Sequence, residues 1–204
     1  MNFVKKWIST IMAFVAGVCG LALSACTGMV ASGYIDMTAL GAKKETIDST
    51  TKAFKVLTDS DLYTEAKELG IGSEFMLMKV FAIITLVVSV LLIIYAIVML
   101  LKNLNVVKFE SKVFTIVGLS LFGLLLVSTI GLLITSNNYA NAMEDAMTGM
   151  FKLMLVGQGV PENVANGIVN INIKVGAYQP IMLVVAIVSA LAISTFTFIN
   201  RKQA

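Results

Sequence analysis

The fold of this chain is decided by residues 75–101, FMLMKVFAIITLVVSVLLIIYAIVMLL, and residues 113–135, VFTIVGLSLFGLLLVSTIGLLIT. Between them lies the short basic link 102–112, KNLNVVKFESK. Each apolar segment is longer than the about 20 residues that cross the hydrocarbon core of a bilayer as a helix. The two segments are therefore predicted to form a transmembrane hairpin with its link on one side of the membrane.

Two further apolar segments flank this hairpin, at residues 7–31 and 180–199. The whole chain is 58% hydrophobic and only 13% charged, whereas a soluble domain carries about 25% charged residues. We therefore predict an all-α integral membrane protein, a four-helix transmembrane bundle in a single membrane domain, residues 1–204. Its spans are residues 7–31, 75–101, 113–135 and 180–199, and its tail is residues 200–204.

The two long loops, residues 32–74 and 136–179, are predicted to build a small outer cap. In the first loop, residues 34–40 alternate like a short strand and the rest is predicted to be helical, with Gly70 ending the last helix. In the second loop, residues 169–175 alternate β-branched side chains with Asn and Lys, which favours a strand. A helix continuing into the last span also fits this stretch. The cap is thus predicted to contain amphipathic helices and an antiparallel two-stranded ribbon of residues 34–40 and 169–175.

The charges predict the orientation, because short flanks rich in Lys and Arg stay in the cytoplasm. The two ends and the link carry seven basic residues against the single acid Glu110: Lys5, Lys6, Lys102, Lys108, Lys112, Arg201 and Lys202. Both long loops hold more acidic than basic residues. Both termini are therefore expected in the cytoplasm and both loops outside, in a multi-pass protein of the plasma membrane.

Small residues recur along three of the spans at helical spacing. Small side chains let helix backbones approach closely in lipid, so these positions are predicted to form helix-packing seams. The positions are Ala16, Gly20, Ser24 and Gly28 in the first span, Ser120, Gly123 and Gly131 in the third, and Ala186 and Ala190 in the fourth.

Methionines mark one face of a helix in the second loop: Met143, Met147, Met150 and Met154. Methionine is flexible and polarizable and suits adaptable apolar surfaces. This methionine face either packs on the protein itself or rests at the lipid headgroups, which we favour, or it is a partner face that docks another protein or a lipid.

The first span also resembles a bacterial lipoprotein signal peptide in its Leu-Ser-Ala-Cys sequence, residues 23–26, after Lys5 and Lys6. The resemblance implies cleavage before Cys26 and lipidation of its thiol. Apolar residues continue beyond Cys26, where lipoproteins turn polar, so we expect the first helix to be retained. The Leu-Ser-Ala-Cys sequence and the lack of cysteines in both loops favour a bacterial chain.

We find no residue pattern in this sequence that is typical of a known enzyme class. The chain has no His, which removes the commonest general base near neutral pH. None of the four apolar segments contains Asp or Glu, which proton and cation relays through membranes use. Phosphate-binding glycine motifs are missing, and the charges form no basic stripe for nucleic acid. We expect no enzyme activity, cofactor, metal or nucleic-acid partner.

The layout of four spans and two outer loops is similar to that of claudins, tetraspanins and connexins. The similarity ends at the layout, because those families carry cysteines in the outer loops and both cysteines here, Cys19 and Cys26, lie in the first span. The leading hypothesis is a membrane protein that acts by contact, as a scaffold, an accessory subunit or a self-associating component. Its partners would be the lipid bilayer and either further copies of the chain, as a homo-oligomer, or another membrane protein.

Two other function classes stay open. An oligomeric channel would use the hydroxyls of Thr115, Ser120, Ser128 and Thr135 to line a neutral pore. A small transporter, or a lipoprotein precursor cleaved before Cys26, is the third hypothesis.

Overall fold

A computed structural model describes residues 2–26, 28–35, 45–52, 57, 61–108, 110–175 and 179–201. The helices are α1 (Asn2–Cys26), α2 (Asp61–Glu68), α3 (Gly72–Asn103), α4 (Ser111–Gly157), α5 (Glu162–Ile168) and α6 (Gln179–Arg201), and the strands are β1 (Gly28–Ile35), β2 (Glu45–Lys52) and β3 (Val169–Val175). The chain divides into two compact units. The helical unit comprises Met1–Ala25, Phe81–Leu133 and Gln179–Ala204, and the mixed unit comprises Cys26–Val80 and Ile134–Tyr178.

Within the part of the chain that the structure describes, three helices are long and apolar enough to cross a membrane. The qualifying segments are Trp7–Ser24 of α1, Gly72–Asn103 of α3 and Lys112–Gly157 of α4. Helix α6 contains a shorter apolar segment among the described residues, Ile181–Ile193. Large side chains such as Ile94 and Val127 are exposed along these helices, as expected of surfaces that face lipid. The fold is therefore that of a helical membrane protein.

The core of the helical unit is built from all four of its helices. Ala13 and Ala16 of α1, Leu92 of α3, Phe122 of α4 and Val185 of α6 are all buried in one cluster. Buried hydroxyls in this unit bond to carbonyls of their own helix. Examples are the bonds from Ser24 to Gly20, from Thr85 to Phe81, from Ser89 to Thr85, from Thr129 to Leu125 and from Ser189 to Val185. These hydroxyls are thus satisfied without a polar partner on another helix.

The mixed unit contains a three-stranded antiparallel sheet in the order β2-β1-β3. In the register of β1 with β3, Ile35 pairs with Val169 and Met29 pairs with Val175. The side chains of Val169, Ile171 and Ile173 are buried, whereas Lys174 is exposed. The strand interpretation of residues 169–175 is therefore confirmed, and the alternative helix through this stretch is wrong.

Three aromatic side chains cluster in the mixed unit. The Phe75 ring centroid lies 5.6 Å from that of Tyr139 and 6.1 Å from that of Tyr63. Glu144 of α4 accepts a hydrogen bond of 2.9 Å from the backbone N–H of Ile173 through its Oε2. This bond occupies an outward-facing donor of β3 and links that strand to α4.

The structure corrects three of the secondary-structure predictions made from the sequence. The first span was expected to continue to residue 31, but α1 ends at Cys26 and Gly28 begins β1. Residues 45–52 were expected to be helical, yet they form β2; four of these residues are Thr or Ile, and β-branched side chains favour strands. Residues 36–40 of the expected ribbon lie outside the described residues.

The third correction concerns α4, which is a single helix of 47 residues. A span ending at residue 135 and a separate methionine-bearing helix were expected there, because Ser136, Asn137 and Asn138 resemble a loop opening. Each of these residues costs a helix only about 0.5 kcal/mol, so the packing of the flanking turns is sufficient to keep the helix continuous. The expected helix ending near Gly70 is confirmed: α2 ends at Glu68, and Gly70 has the positive φ of 77° that follows such ends.

Replacing Ser136 by Ala is expected to stabilise the mixed unit. The Ser136 hydroxyl is buried and has no hydrogen-bond partner among the described residues. A buried unsatisfied hydroxyl costs about 1–3 kcal/mol, so Ser136→Ala should raise the unfolding temperature in detergent. Ser128→Ala is the control, because the Ser128 hydroxyl donates to the Leu125 carbonyl. An unchanged or lower unfolding temperature for Ser136→Ala would contradict this expectation.

Candidate functional site

The small residues of α1 lie at a close contact with α3. A Cβ atom added at Gly17 would lie 2.7 Å from Cγ1 of Ile93 and 3.0 Å from the carbonyl oxygen of Ser89. A Cβ atom added at Gly20 would overlap the side chain of Ser89. Ala16 and Ser24 are buried on the same helix. The structure therefore brings Ala16, Gly20 and Ser24 into packed positions, together with Gly17, which belongs to a second row of small residues beside them.

Gly28 does not continue this row, because it lies in strand β1. The four-residue spacing that placed it in the seam applies only within a helix, and α1 ends before it. Cys26, the candidate lipidation residue, is the last residue of α1. Lipidation of its thiol stays a prediction.

The predicted seam of α4 is only partly packed within the chain. A Cβ atom at Gly131 would overlap the ring of Phe81. By contrast, Ser120 is exposed and a Cβ at Gly123 would meet no atom within 4 Å. The close contact in this half of α4 is instead at Gly118, where an added Cβ would lie 2.5 Å from the Tyr95 hydroxyl.

The row predicted on α6 points mostly away from the core. Ala190 is exposed and Ala186 is half-buried, whereas Ser189 and Ala192 are buried. Small residues occur on more than one side of this helix, so spacing alone did not determine which row faces the other helices.

A cluster of side-chain contacts joins α3 to α4 near the link between the two helices. The Tyr95 hydroxyl donates a hydrogen bond of 3.0 Å to the Phe114 carbonyl, and the two rings lie 5.9 Å apart. Lys102 places its Nζ 4.8 Å from the centroid of the Phe114 ring, within the range of a cation–π interaction. Asn103 Nδ2 also donates to Thr10 Oγ1 at 3.0 Å, which joins the end of α3 to α1.

The methionine face changes character along α4. Met143 and Met147 are half-buried, and the neighbouring Tyr139 is buried against Phe75. Further along, four large apolar side chains are each exposed over the last two turns of the helix: Met150, Leu153, Met154 and Val156. We call these four residues the apolar end of α4. The first half of the face thus packs within the chain, and the second half is left open.

The hydroxyls suggested for a neutral pore do not share one surface. Ser120 is exposed and Thr115 is half-buried, whereas Ser128 and Thr135 are buried. Ser128 donates to the carbonyl of Leu125. A pore between copies of the chain would need these side chains on one exposed stripe, and the structure does not supply that stripe.

Groups of acidic, cysteine or histidine side chains that could hold a metal ion are absent from the part of the chain that the structure describes. No protein-family model, curated protein or solved structure matches this chain.

Proposed function

We propose that this chain is a non-enzymatic, four-span protein of the bacterial plasma membrane that acts by contact through the apolar end of α4. Both termini lie in the cytoplasm and the mixed unit lies outside. In this proposal the protein is a scaffold or accessory subunit that self-associates or binds another membrane protein. The exposure of Met150, Leu153, Met154 and Val156 is the observation that carries the proposal.

The length of α4 supports the position of this surface outside the membrane. A helix of 47 residues is about 70 Å long, whereas the hydrocarbon core of a bilayer is about 30 Å thick. The half of α4 that begins near Lys112 contains the apolar span, so its other half extends beyond the bilayer. An apolar surface exposed to water there is typical of protein interaction sites.

The pairing of β1 with β3 favours an even number of membrane crossings in the chain between these two strands. Strands β1 and β3 pair directly, so both must lie on the same side of the bilayer. Between them the chain contains two helices that are long enough to cross, α3 and α4. Helix α6 has 23 residues, a length that suffices for a fourth crossing by a helix rising 1.5 Å per residue.

Photo-crosslinking tests the contact. A benzophenone attached to Leu153→Cys, in a chain with Cys19→Ser and Cys26→Ser, should form one dominant adduct in native membranes. A doubled mass would identify self-association, and another mass would identify a different membrane protein. Adding Met154→Glu should abolish the adduct, because a carboxylate cannot be buried unpaired in an apolar contact. Gln158→Glu is the matched control, since it adds the same charge at an exposed polar position of the next turn. Equal adduct with both substitutions, or none in the parent, would contradict the proposal.

Cysteine labelling tests the topology separately. Single cysteines at Thr58 and Thr148 should react with an impermeant thiol reagent on intact cells, whereas one at Asn105 should react only after lysis. The reason is that residues 58 and 148 belong to the two acidic loops and Asn105 belongs to the basic link. Labelling of Asn105 from outside would reverse the orientation.

A further inference from the structure

An apolar groove opens between α1 and α3 near the basic end of the hairpin. It has a volume of about 260 Å³ and is lined by Trp7, Thr10, Ile11 and Phe14 of α1 and by Ala96, Ile97 and Leu100 of α3. Ala96 and Thr10 are buried at its base, while Ile11, Phe14 and Ile97 are half-exposed along its walls. The small side chain of Ala96 leaves the space between the two helices unfilled.

One end of this groove is polar, and basic residues lie close to it in sequence. Asn103 and Thr10 are joined there by their hydrogen bond, and Trp7 is of the residue type that sits at the headgroup level of membranes. Lys5 and Lys6 directly precede Trp7 in α1, and Lys102 lies in the last turn of α3. Lys108 and Lys112 follow in the link, where Glu110 is the single acidic residue.

We infer that this groove binds one acyl chain of an anionic phospholipid of the cytoplasmic leaflet, with the phosphate of the headgroup facing the basic end. The inference rests on the membrane-spanning orientation proposed above. An apolar groove on a lipid-facing surface is filled by hydrocarbon, because its wall is almost entirely apolar and would hold water poorly. Charge complementarity selects the headgroup, since basic residues at the cytoplasmic surface attract anionic lipids.

Native mass spectrometry of the full chain in detergent tests this site. The probes are phosphatidylglycerol and phosphatidylcholine with identical acyl chains. Phosphatidylglycerol should be retained preferentially, and Lys5→Gln with Lys6→Gln should lower that preference by about 25-fold, since each lysine near the surface contributes about fivefold. Lys79→Gln is the control for charge, because Lys79 lies near the opposite end of α3.

A second pair of variants tests the groove itself. Ile97→Trp should fill the groove and reduce retention of phosphatidylglycerol about tenfold, because loss of apolar burial of this size is worth that factor. Ile94→Trp is the matched control: Ile94 is 51% exposed and Ile97 is 49% exposed on the same helix, but only Ile97 lines the groove. Both side chains are on the surface, so neither variant should prevent folding.

The results of these experiments distinguish a bound lipid from a second copy of the chain in the groove. Equal retention of the two lipids, or equal effects of Ile97→Trp and Ile94→Trp, would overturn the inference. A lipid-free dimer that Ile97→Trp dissociates would overturn it in favour of a second copy of the chain. Loss of the Leu153 crosslink leaves this assay unaffected, so failure of the contact proposal and failure of the lipid site are distinguishable.

Discussion

Gly20→Leu is expected to disrupt assembly of the helical unit. A Cβ atom at this position would overlap the Ser89 side chain and would lie 3.4 Å from Cδ1 of Leu125. The larger leucine would force α1 away from its neighbours, at a cost of about 3 kcal/mol or more for overpacking a close contact. We therefore expect a large loss of folded protein, measured as the fraction that remains monodisperse in detergent and by its thermal unfolding.

Val18→Leu is the matched control for this substitution. Val18 is 43% exposed on the same helix, so a longer side chain there extends into lipid and should change stability by less than about 0.5 kcal/mol. Similar effects of the two substitutions would show that the glycine row of α1 is not a contact surface.

Phe75→Ala is expected to destabilise the mixed unit by about 3–5 kcal/mol, the usual cost of deleting a buried aromatic ring. Phe75 is 1% exposed and its ring contacts those of Tyr63 and Tyr139. Its removal leaves a cavity between α2, the start of α3 and α4. Limited proteolysis should then cut the loop of residues 32–74 much faster than in the unmodified chain.

Met76→Ala provides the comparison, because Met76 is the next residue of α3 and is 44% exposed. It should leave the proteolysis rate nearly unchanged. If both substitutions accelerated cleavage equally, the aromatic cluster would not be what stabilises this unit.

The elements that sequence reasoning predicted well carry a strong local signal. The apolar segments 75–101 and 113–135 are much longer than the strands of soluble proteins, so the sequence predicted helices there. Helix α2 was predicted because Gly70 provides the ending, and β3 was predicted because Val169, Ile171 and Ile173 alternate with polar residues.

The elements that were missed depend on pairing between distant segments. Residues 28–31 are apolar and suit a helix or a strand, and the backbone partners in β3 and β2 determine that they form β1. Likewise, the polar residues 136–138 have no local reason to stay helical, and α4 continues through them because its neighbouring turns are packed.

The sequence indicated which residue types form the helix contacts, but it did not indicate which side of each helix is buried. Small residues at four-residue spacing pointed to Ala16 and Gly20, which are buried, and also to Ala190 of α6, which is exposed next to the buried Ser189. A helix carrying two adjacent rows of small residues needs the positions of its neighbours to decide which row is buried. The open half of the methionine face had the same ambiguity, because Met143 and Met154 are equivalent by spacing alone.

The central position of β1 in the sheet also sets the order in which this protein matures. Its hairpin with β2 is local and can close as soon as residue 52 has been made. Its other edge stays open until β3 is synthesised, two long helices later. Contacts so far apart in sequence form slowly, and an open strand edge attracts other chains in the meantime. Closure of the sheet therefore follows synthesis of the α3–α4 hairpin, and a chain that stalls in that hairpin leaves one edge of β1 unpaired.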